Sequence, residues 1–292
     1  MIFLTGANGF LGKHLVSHLV ANKQKIKCYL QGKNQLKDYD NNYINITNGN
    51  LIDKKRLFAA MEGSNTIIHA AGVIKPSIKT NKAWNDNIII TKNVVECSIQ
   101  HKIDKLIFIS TIDTQLELEN SYAKSKREAE NIVKNSKLNF TILRPSILYG
   151  KGDVNISYII NSIIKKPIVP IPGSGNFFWQ PLYITDLIDC IIDLINNNNP
   201  KYINITGPST ISYVELIDII IKSLNIRRIK VYIPMKIIVF LAKIFKVIHH
   251  NNIFESVVWA SENKIIKDNR YLIRGSTDIS RGINLLIANK HK

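Results

Sequence analysis

Short apolar, β-branched runs recur along the first half of the chain, each followed by a stretch whose apolar positions return every three or four residues. The runs at 1–4, 26–30, 43–46, 66–69, 105–109 and 140–143 read as strands. Between them, 14–21, 54–61, 87–100 and 121–135 read as amphipathic helices. Strand and helix in alternation predict a parallel sheet covered on both faces. Leu106-Ile107-Phe108-Ile109, apolar at every position, suits a strand buried on both sides. Past Pro145 the rhythm loosens, and Pro167, Pro170 and Pro172 punctuate an expected loop ending in Gly173-Ser174-Gly175. A helix is expected over 186–196, a turn through the asparagine tract 196–199 and Pro200, and a short strand over 202–206. Ser212 with Glu215 three residues on has the pattern of a capping box and opens another helix. The C-terminal third reads as helical and irregular.

Composition narrows the class. At 292 residues, with 45% hydrophobic and 21% charged positions, the chain can bury a core without staples. Cys28, Cys97 and Cys190 are scattered and odd in number, which predicts neither a disulfide framework nor a metal site. No charged n-region with an apolar core opens the chain, and its longest apolar candidate for a span, 237–248, is broken by Lys243 and Lys246. The expected location is cytoplasmic, with a peripheral membrane position as the variant. A net charge of +17 raises nucleic-acid binding, but the lysines are spread along the whole chain rather than gathered with aromatics in one stripe. The excess is read as compositional bias on a solvated surface; attraction to anionic ligands or an anionic membrane is the alternative.

Chemistry enters at the start of the chain. Thr5-Gly6-Ala7-Asn8-Gly9-Phe10-Leu11-Gly12 sets three glycines at G-x-x-G-x-x-G spacing between a strand and a helix. Gly6 suits a tight turn, Gly9 a close approach of backbone to pyrophosphate, and Gly12 close packing of helix on strand. The helix start offers free N–H groups and a partial positive charge. A dinucleotide site follows, with Gly6, Asn8, Gly9, Phe10, Leu11 and Gly12 as its ligands. The end of the second strand, Gln31-Gly32-Lys33, has no acid to hold an adenosine ribose, and Lys33 can meet a 2′-phosphate. The cofactor is therefore NADP or NAD, with a lean to NADP. The expected fold class is α/β, a doubly wound parallel-sheet Rossmann fold with a smaller, mostly helical C-terminal substrate lobe. Residues 1–150 form the dinucleotide-binding domain, 176–206 return to it, and 151–175 with 207–292 form the smaller lobe.

Tyr122-Ala123-Lys124-Ser125-Lys126 places Tyr122 and Lys126 four apart, on one face of a helix start. A nearby ammonium and a positive nicotinamide ring favour phenolate and are expected to lower the tyrosine toward a useful range. Ser110-Thr111 closes the 105–109 strand, at the sheet edge where ligands bind in such folds.

These motifs together resemble the short-chain dehydrogenase/reductase superfamily in its extended and atypical branches, of the NAD-dependent epimerase/dehydratase type. The resemblance runs over nearly the whole chain and implies catalytic roles for Thr111, Tyr122, Lys126 and Asn87. It also implies cofactor contacts from Asn50 and Leu51, from Ala70, Ala71 and Gly72, from Ser110, Tyr122 and Lys126, and from Pro145 and Ile147. Asn50 stands where the family's usual acid would be. Thr111 and Tyr122 are only 11 positions apart, and the Val-Tyr-Gly triplet of many nucleotide-sugar enzymes is absent. The short loop, with Pro170-Ile171-Pro172-Gly173 and Gln180-Pro181-Leu182-Tyr183, is similar to the NAD(P)H-binding accessory subunit of respiratory complex I and its bacterial relatives. The resemblance implies an NAD(P)-dependent oxidoreductase acting at a hydroxyl or carbonyl carbon. A nucleotide-sugar epimerase, dehydratase or 4-reductase and a non-catalytic NAD(P)H-binding accessory protein remain open beside it. Arg144 is expected to pair with a carboxylate, and Arg274 and Arg281 are secondary candidates for a substrate phosphate. Partners expected are a small-molecule substrate, a membrane or complex through the basic amphipathic stretch 234–248, and a second copy as homodimer, but no nucleic acid.

Overall fold

The computed structural model describes residues 1–32, 36, 42–72, 82–116, 121–197, 200–240, 261, 263–266 and 271–288, without the side chains of 82–84 and 121. The chain divides into two compact units. One comprises Met1–Pro145, Leu187–Ile205 and Asn269–Ile273; the other comprises Ser146–Asp186, Thr206–Asp268 and Arg274–Lys292.

The first unit carries the sheet. Its strands are β1 (Ile2–Thr5), β2 (Ile26–Leu30), β3 (Ile44–Asn48), β4 (Thr66–His69), β5 (Lys105–Ile109), β6 (Phe140–Pro145), β11 (Tyr202–Thr206) and β14 (Leu272–Arg274). Their order in space is β14-β11-β6-β5-β4-β1-β2-β3, and the seven strands from β11 to β3 are parallel. The chain builds outward from β1 in one direction to β3 and then in the other from β4. The crevice at the carboxyl ends of β1 and β4 is therefore the switch point where ligands bind in open α/β sheets. The crossovers are helices α1 (Phe10–Ala21), α2 (Lys54–Met61), α3 (Lys82–Gln100) and α4 (Ser121–Lys134), with most of α6 (Ile184–Asn196) also in this unit. Phe3, Ile67, Phe108 and Ile142 point to one face and cluster with Leu57 of α2 and Val94 of α3, all essentially buried. Each such side chain contributes about 1.5–3 kcal/mol by leaving water.

The second unit is built from short pieces. β7 (Leu148–Tyr149) lies parallel to β10 (Leu182–Tyr183), β8 (Ile168–Pro172) parallel to β13 (Ile229–Ile233), and β9 (Phe178–Trp179) antiparallel to β12 (Ile211–Ser212). Helices α5 (Ile156–Lys165), α7 (Tyr213–Ser223) and α8 (Ile279–Ala288) supply Ile160, Ile163, Leu216, Ile220 and Ile283 to its core. The capping box at the start of α7 forms as the sequence predicts: the Glu215 amide donates to Ser212 Oγ, and the Ser212 amide donates to Glu215 Oε2.

Three expectations are corrected. The proline-rich stretch before Gly173 is strand β8, not a loop; it pairs in register with β13, with Pro170 opposite Val231. Proline lacks a donor, but a strand in a two-stranded ribbon has an outer side where no donor is needed. The C-terminal third also contributes strands, β13 and β14, where helix was expected. Helices α1 and α3 begin at Phe10 and Lys82, ahead of the expected 14 and 87; in α1 the last residues of the glycine motif already form the first turn, and Leu11 joins its buried face. Of the 234–248 helix, 235–240 are helical and 241–248 lie outside the described residues. Among the described residues no helix is long and apolar enough to cross a membrane.

The glycine at the third motif position tests this packing. A Cβ on Gly12 would sit 2.2 Å from Gly6 O and 2.6 Å from Ala7 Cα, backbone atoms with no freedom to swing aside. Gly12→Ala is expected to push α1 from β1 and lower stability by about 1–3 kcal/mol in chemical denaturation, the usual cost of overpacking. An unchanged midpoint would show that α1 does not seat on this loop.

Candidate functional site

The glycine loop leaves β1 through Gly6, whose φ of +77° places it where side chains are strained. Its Cα faces the chain leaving β4: a Cβ there would meet Ala71 N at 2.7 Å and Ala70 C at 2.8 Å. The Gly9 amide donates to Gly6 O at 2.9 Å and closes the turn, and Gly9 becomes the N-cap of α1 without a side-chain cap. Gly9 is exposed, and no acidic side chain occupies the first turn of α1. Free N–H groups at the start of a twelve-residue helix, behind a residue with no side chain, fit a pyrophosphate. Asn8 and Phe10 are half-buried beside it, the Phe10 ring resting edge-on against His14, and Leu11 turns inward.

The outer candidates lie along the ends of β2 and β3. Gln31 is exposed and Gly32 has a φ of +87°; Lys33 lies outside the described residues. Asn50 is engaged locally, its Oδ1 accepting from the Ile52 amide at 3.0 Å and its carbonyl from Tyr29 OH at 3.3 Å. Leu51 is buried, and its carbonyl accepts from Asn93 Nδ2. Pro145 ends β6, whereas Ile147 belongs to the second unit, where its carbonyl accepts from the Leu182 amide.

Of the catalytic candidates, Asn87 and Lys126 come together at Gly72. A Cβ on Gly72 would lie 3.5 Å from Asn87 Oδ1 and 3.7 Å from Lys126 Nζ. Lys126 is buried, donates to Ile109 O at the end of β5 at 2.7 Å, and lies 4.4 Å above the Phe108 ring. Asn87 Nδ2 donates to Ser125 Oγ at 3.1 Å, and Ser125 Oγ donates to Tyr122 O at 2.8 Å. Thr111 Oγ1 accepts from the Asp113 amide and caps a 3₁₀ turn, Ile112–Gln115. Its neighbour Ser110 is turned away, its buried hydroxyl donating to Glu130 Oε1 at 2.6 Å. Of the two hydroxyls that close β5, Thr111 is the one not drawn down to Glu130.

A second polar chain, centred on His69 at the head of the 69–72 segment that the resemblance sets along the cofactor, ties the glycine loop to this cluster. The Ala71 amide donates to Thr5 Oγ1, Thr5 Oγ1 meets His69 Nδ1 at 2.7 Å, and His69 Nε2 meets Thr91 Oγ1 at 3.2 Å. Thr91 donates its only hydroxyl hydrogen to Asn87 O, so His69 must carry its proton on Nε2 and accept from Thr5 at Nδ1. Burial and the Lys126 ammonium pull His69 down to about 3, so the ring is neutral.

Beneath the cluster lies Glu130, without a role in the sequence reading. Arg144 grips it with Nε at 2.9 Å and Nη2 at 2.7 Å, and Ser110 and Thr114 donate to the same carboxylate. This is the carboxylate expected for Arg144. Glu130 lies four residues after Lys126, a spacing that could have suggested it. Although burial opposes it, the Arg144 bond and charge and the two hydroxyls hold the Glu130 carboxyl below its ordinary value.

The protein's own groups raise the Tyr122 phenol. Burial, and secondarily the Asp113 carboxylate, push the phenol above its ordinary value. Burial pulls Lys126 down to about 8, with Glu130 resisting. The same water-poor surroundings disfavour both the phenolate and the ammonium, so the pairing does not lower the tyrosine in the protein's own field.

The neutral His69 sets a pH dependence. Its folded value lies below the unfolded one near 6.5, so the unfolded chain binds the extra proton between them, and stability falls as pH falls through that window. One such group contributes a slope approaching 1.4 kcal/mol per pH unit. His69→Gln, which can keep one hydrogen bond, is expected to flatten the stability profile between about pH 6 and pH 4 relative to the parent chain. Parallel profiles would show that His69 is not the buried neutral group.

Comparison with known proteins follows this geometry. The profile of the "NAD dependent epimerase/dehydratase family" matches residues 2–206. The dTDP-D-glucose 4,6-dehydratase of Dictyostelium discoideum is 25% identical over 237 residues, 75% of this chain and 53% of that protein. The mitochondrial NADH dehydrogenase [ubiquinone] 1 alpha subcomplex subunit 9 of the same organism is 24% identical over 223 residues, 74% of this chain and 62% of that protein. The chain thus spans about half the length of the first relative and under two thirds of the second. Among solved structures, the UDP-glucose 4-epimerase of Thermotoga maritima with UDP-glucose has the same fold, with a TM-score of 0.77 at 16% identity over 100% of this chain and 99% of that one. By the family match over most of its length, and with the parallel sheet and glycine loop already described, the chain belongs to the NAD dependent epimerase/dehydratase family.

Proposed function

We propose that the chain is an NAD(P)-dependent oxidoreductase of the epimerase/dehydratase type, acting at a hydroxyl or carbonyl carbon of a small molecule. The observation that carries this reading is the convergence of Asn87 and the buried Lys126 on Gly72, beside the glycine loop. A bound nicotinamide dinucleotide would supply a hydride acceptor or donor. The start of α1 would hold its pyrophosphate, and Ala70, Ala71 and Gly72 would pass beside the rest of it. Thr111 would orient the reacting oxygen, Tyr122 would exchange that oxygen's proton at its Oη, and Lys126 would hold a ribose hydroxyl. The raised phenol supports the acid role, in which Tyr122 gives a proton to a carbonyl oxygen.

The activity of one relative and the ligand of another, dTDP-D-glucose 4,6-dehydratase and a UDP-glucose 4-epimerase with UDP-glucose, support a nucleotide sugar as the substrate class. The likeness to a respiratory-complex subunit supports a second reading, a dinucleotide-holding accessory protein. Tyr122→Phe separates the two. Turnover is expected to fall about 10²–10⁴-fold while dinucleotide affinity changes little. Unaltered function of the variant in cells would leave only the accessory reading.

The acid role has a pH signature. If protonated Tyr122 is required, reduction is lost as pH rises through its pKa. Asp113→Asn removes a negative charge that raises the phenol, so the alkaline limb of the rate profile should move to lower pH. A limb that stays in place would deny Asp113 this influence on the acid.

Cofactor preference is read by thermal titration, since a ligand of the folded state raises stability with the logarithm of its concentration over its Kd. With no acid after β2 and Lys33 in the sequence, NADP(H) is expected to stabilise at least as well as NAD(H). Lys33→Glu should then weaken NADP(H) more than NAD(H). No shift with any dinucleotide would end the proposal.

A further inference from the structure

The ribbon of β8 and β13 has an unusual outer face. Register pairs Ile168 with Ile229 and Pro170 with Val231, so all four share one side, and all four are exposed. Alternate residues Val169 and Ile171 are buried beneath them. An exposed sheet face would ordinarily be polar, and this one carries no polar position among those four. Neighbouring segments extend it. Arg228 ties the approach to β13 to the end of α5 by donating to Ile163 O and Ile164 O, and Ile164 is exposed. Met235, 3.1 Å from where a Cβ on Gly173 would lie, anchors the helical residues 235–240 beside the end of β8. Ile237 and Phe240 on those residues are exposed, Phe240 by 63%.

Charge around this face is mostly positive. The sequence has no Asp or Glu from 154 to 185 or from 219 to 254, while the same stretches contain Lys165, Lys166, Lys222, Arg227, Arg228, Lys230 and Lys236. Lys165, Lys166, Arg227 and Lys236 are exposed. Asp218, which binds Lys230 at 2.7 Å, is the acid next to the ribbon and neutralises one cation only. Aliphatic side chains ringed by unopposed cations match the boundary between acyl chains and anionic headgroups. A nucleic acid would instead reward stacking and hydrogen-bonding groups at the centre of the patch, where Ile168, Ile229 and Val231 lie.

We propose that the β8–β13 ribbon and residues 235–240 form a docking surface for an anionic lipid bilayer, independent of the chemistry proposed for the first unit. The aliphatic face would enter the headgroup boundary, with Lys165, Lys166, Arg227 and Lys236 among the phosphates. The test is co-sedimentation of the full chain with phosphatidylcholine vesicles, with and without about 30 mol% phosphatidylserine. Binding to the anionic vesicles should exceed binding to neutral ones at least about tenfold and weaken in about 0.5 M salt. Ile229→Asp with Val231→Asp, and separately Lys165→Glu with Lys166→Glu, should each release the protein while its melting temperature and dinucleotide titration stay those of the parent. Equal binding to neutral vesicles, no sedimentation, or unimpaired sedimentation of both variants would overturn the proposal. So would self-association abolished by Ile229→Asp with Val231→Asp in a chain that ignores vesicles, which would assign the face to a second copy. Displacement from vesicles by duplex DNA at equal charge concentration would assign it to a polyanion and overturn it equally.

Discussion

A carboxylate sealed under a parallel sheet must be surrounded by donors, and the organisation of the first unit around Lys126 and Asn87 follows from how Glu130 meets that requirement. Arg144 comes from β6, Ser110 from the end of β5, Thr114 from the 3₁₀ turn, and Glu130 itself from α4. Four elements are thereby fixed at one point. Removing the carboxylate would strand a buried guanidinium, a loss that typically costs about 3–5 kcal/mol. Lys126 lies one helical turn before Glu130, so the register that seats the ion pair also sets Lys126 against Ile109 O. Lys134, one turn after it and 3.8 Å away, adds a weaker half-exposed contact.

Two further constraints complete the cleft. Gly6 and Gly12 remove the atoms that would keep the glycine loop from the β4 exit and from its own helix. The Thr5–His69–Thr91–Asn87 chain then fixes the β4 exit to α3 with every donor direction determined. A polar chain fully satisfied in low dielectric is rigid, and the same burial that stiffens it keeps His69 neutral. The groups that face the cleft are thus held from behind by groups that do not.

The sequence disclosed what is local and periodic. The G-x-x-G-x-x-G loop, the Tyr122/Lys126 pair and the buried strand at 105–109 are written in contiguous residues whose spacing has one structural meaning. The contacts of Glu130 and His69 escaped notice because their partners are distant: Arg144 is 14 residues from Glu130, and Thr5 is 64 from His69. Spacing set Glu130 on the helix face of Lys126 but did not show that Arg144 of β6 would cover it. Ribbon β8 was hidden by its prolines, which signal a loop unless the strand has a side free of pairing. The influence of burial on Tyr122 and Lys126 was not legible either, because it depends on what the fold packs around them and not on their spacing.

That last point bears on chemistry. An ammonium beside a phenol assists ionisation only if the pair remains a charged lysine and a charged tyrosinate, two ions in a water-poor space. Here burial moves the phenol up and the ammonium down to about 8, so the lysine proton is released before the tyrosine proton. Both shifts favour the neutral forms, a phenol at Tyr122 and an uncharged amine at Lys126. Forming the phenolate requires another positive charge to enter the cleft and offset Asp113 as well as the burial. Under the proposed reading, a bound cation would favour the phenolate and thus the base role, whereas the protein's own groups favour the phenol.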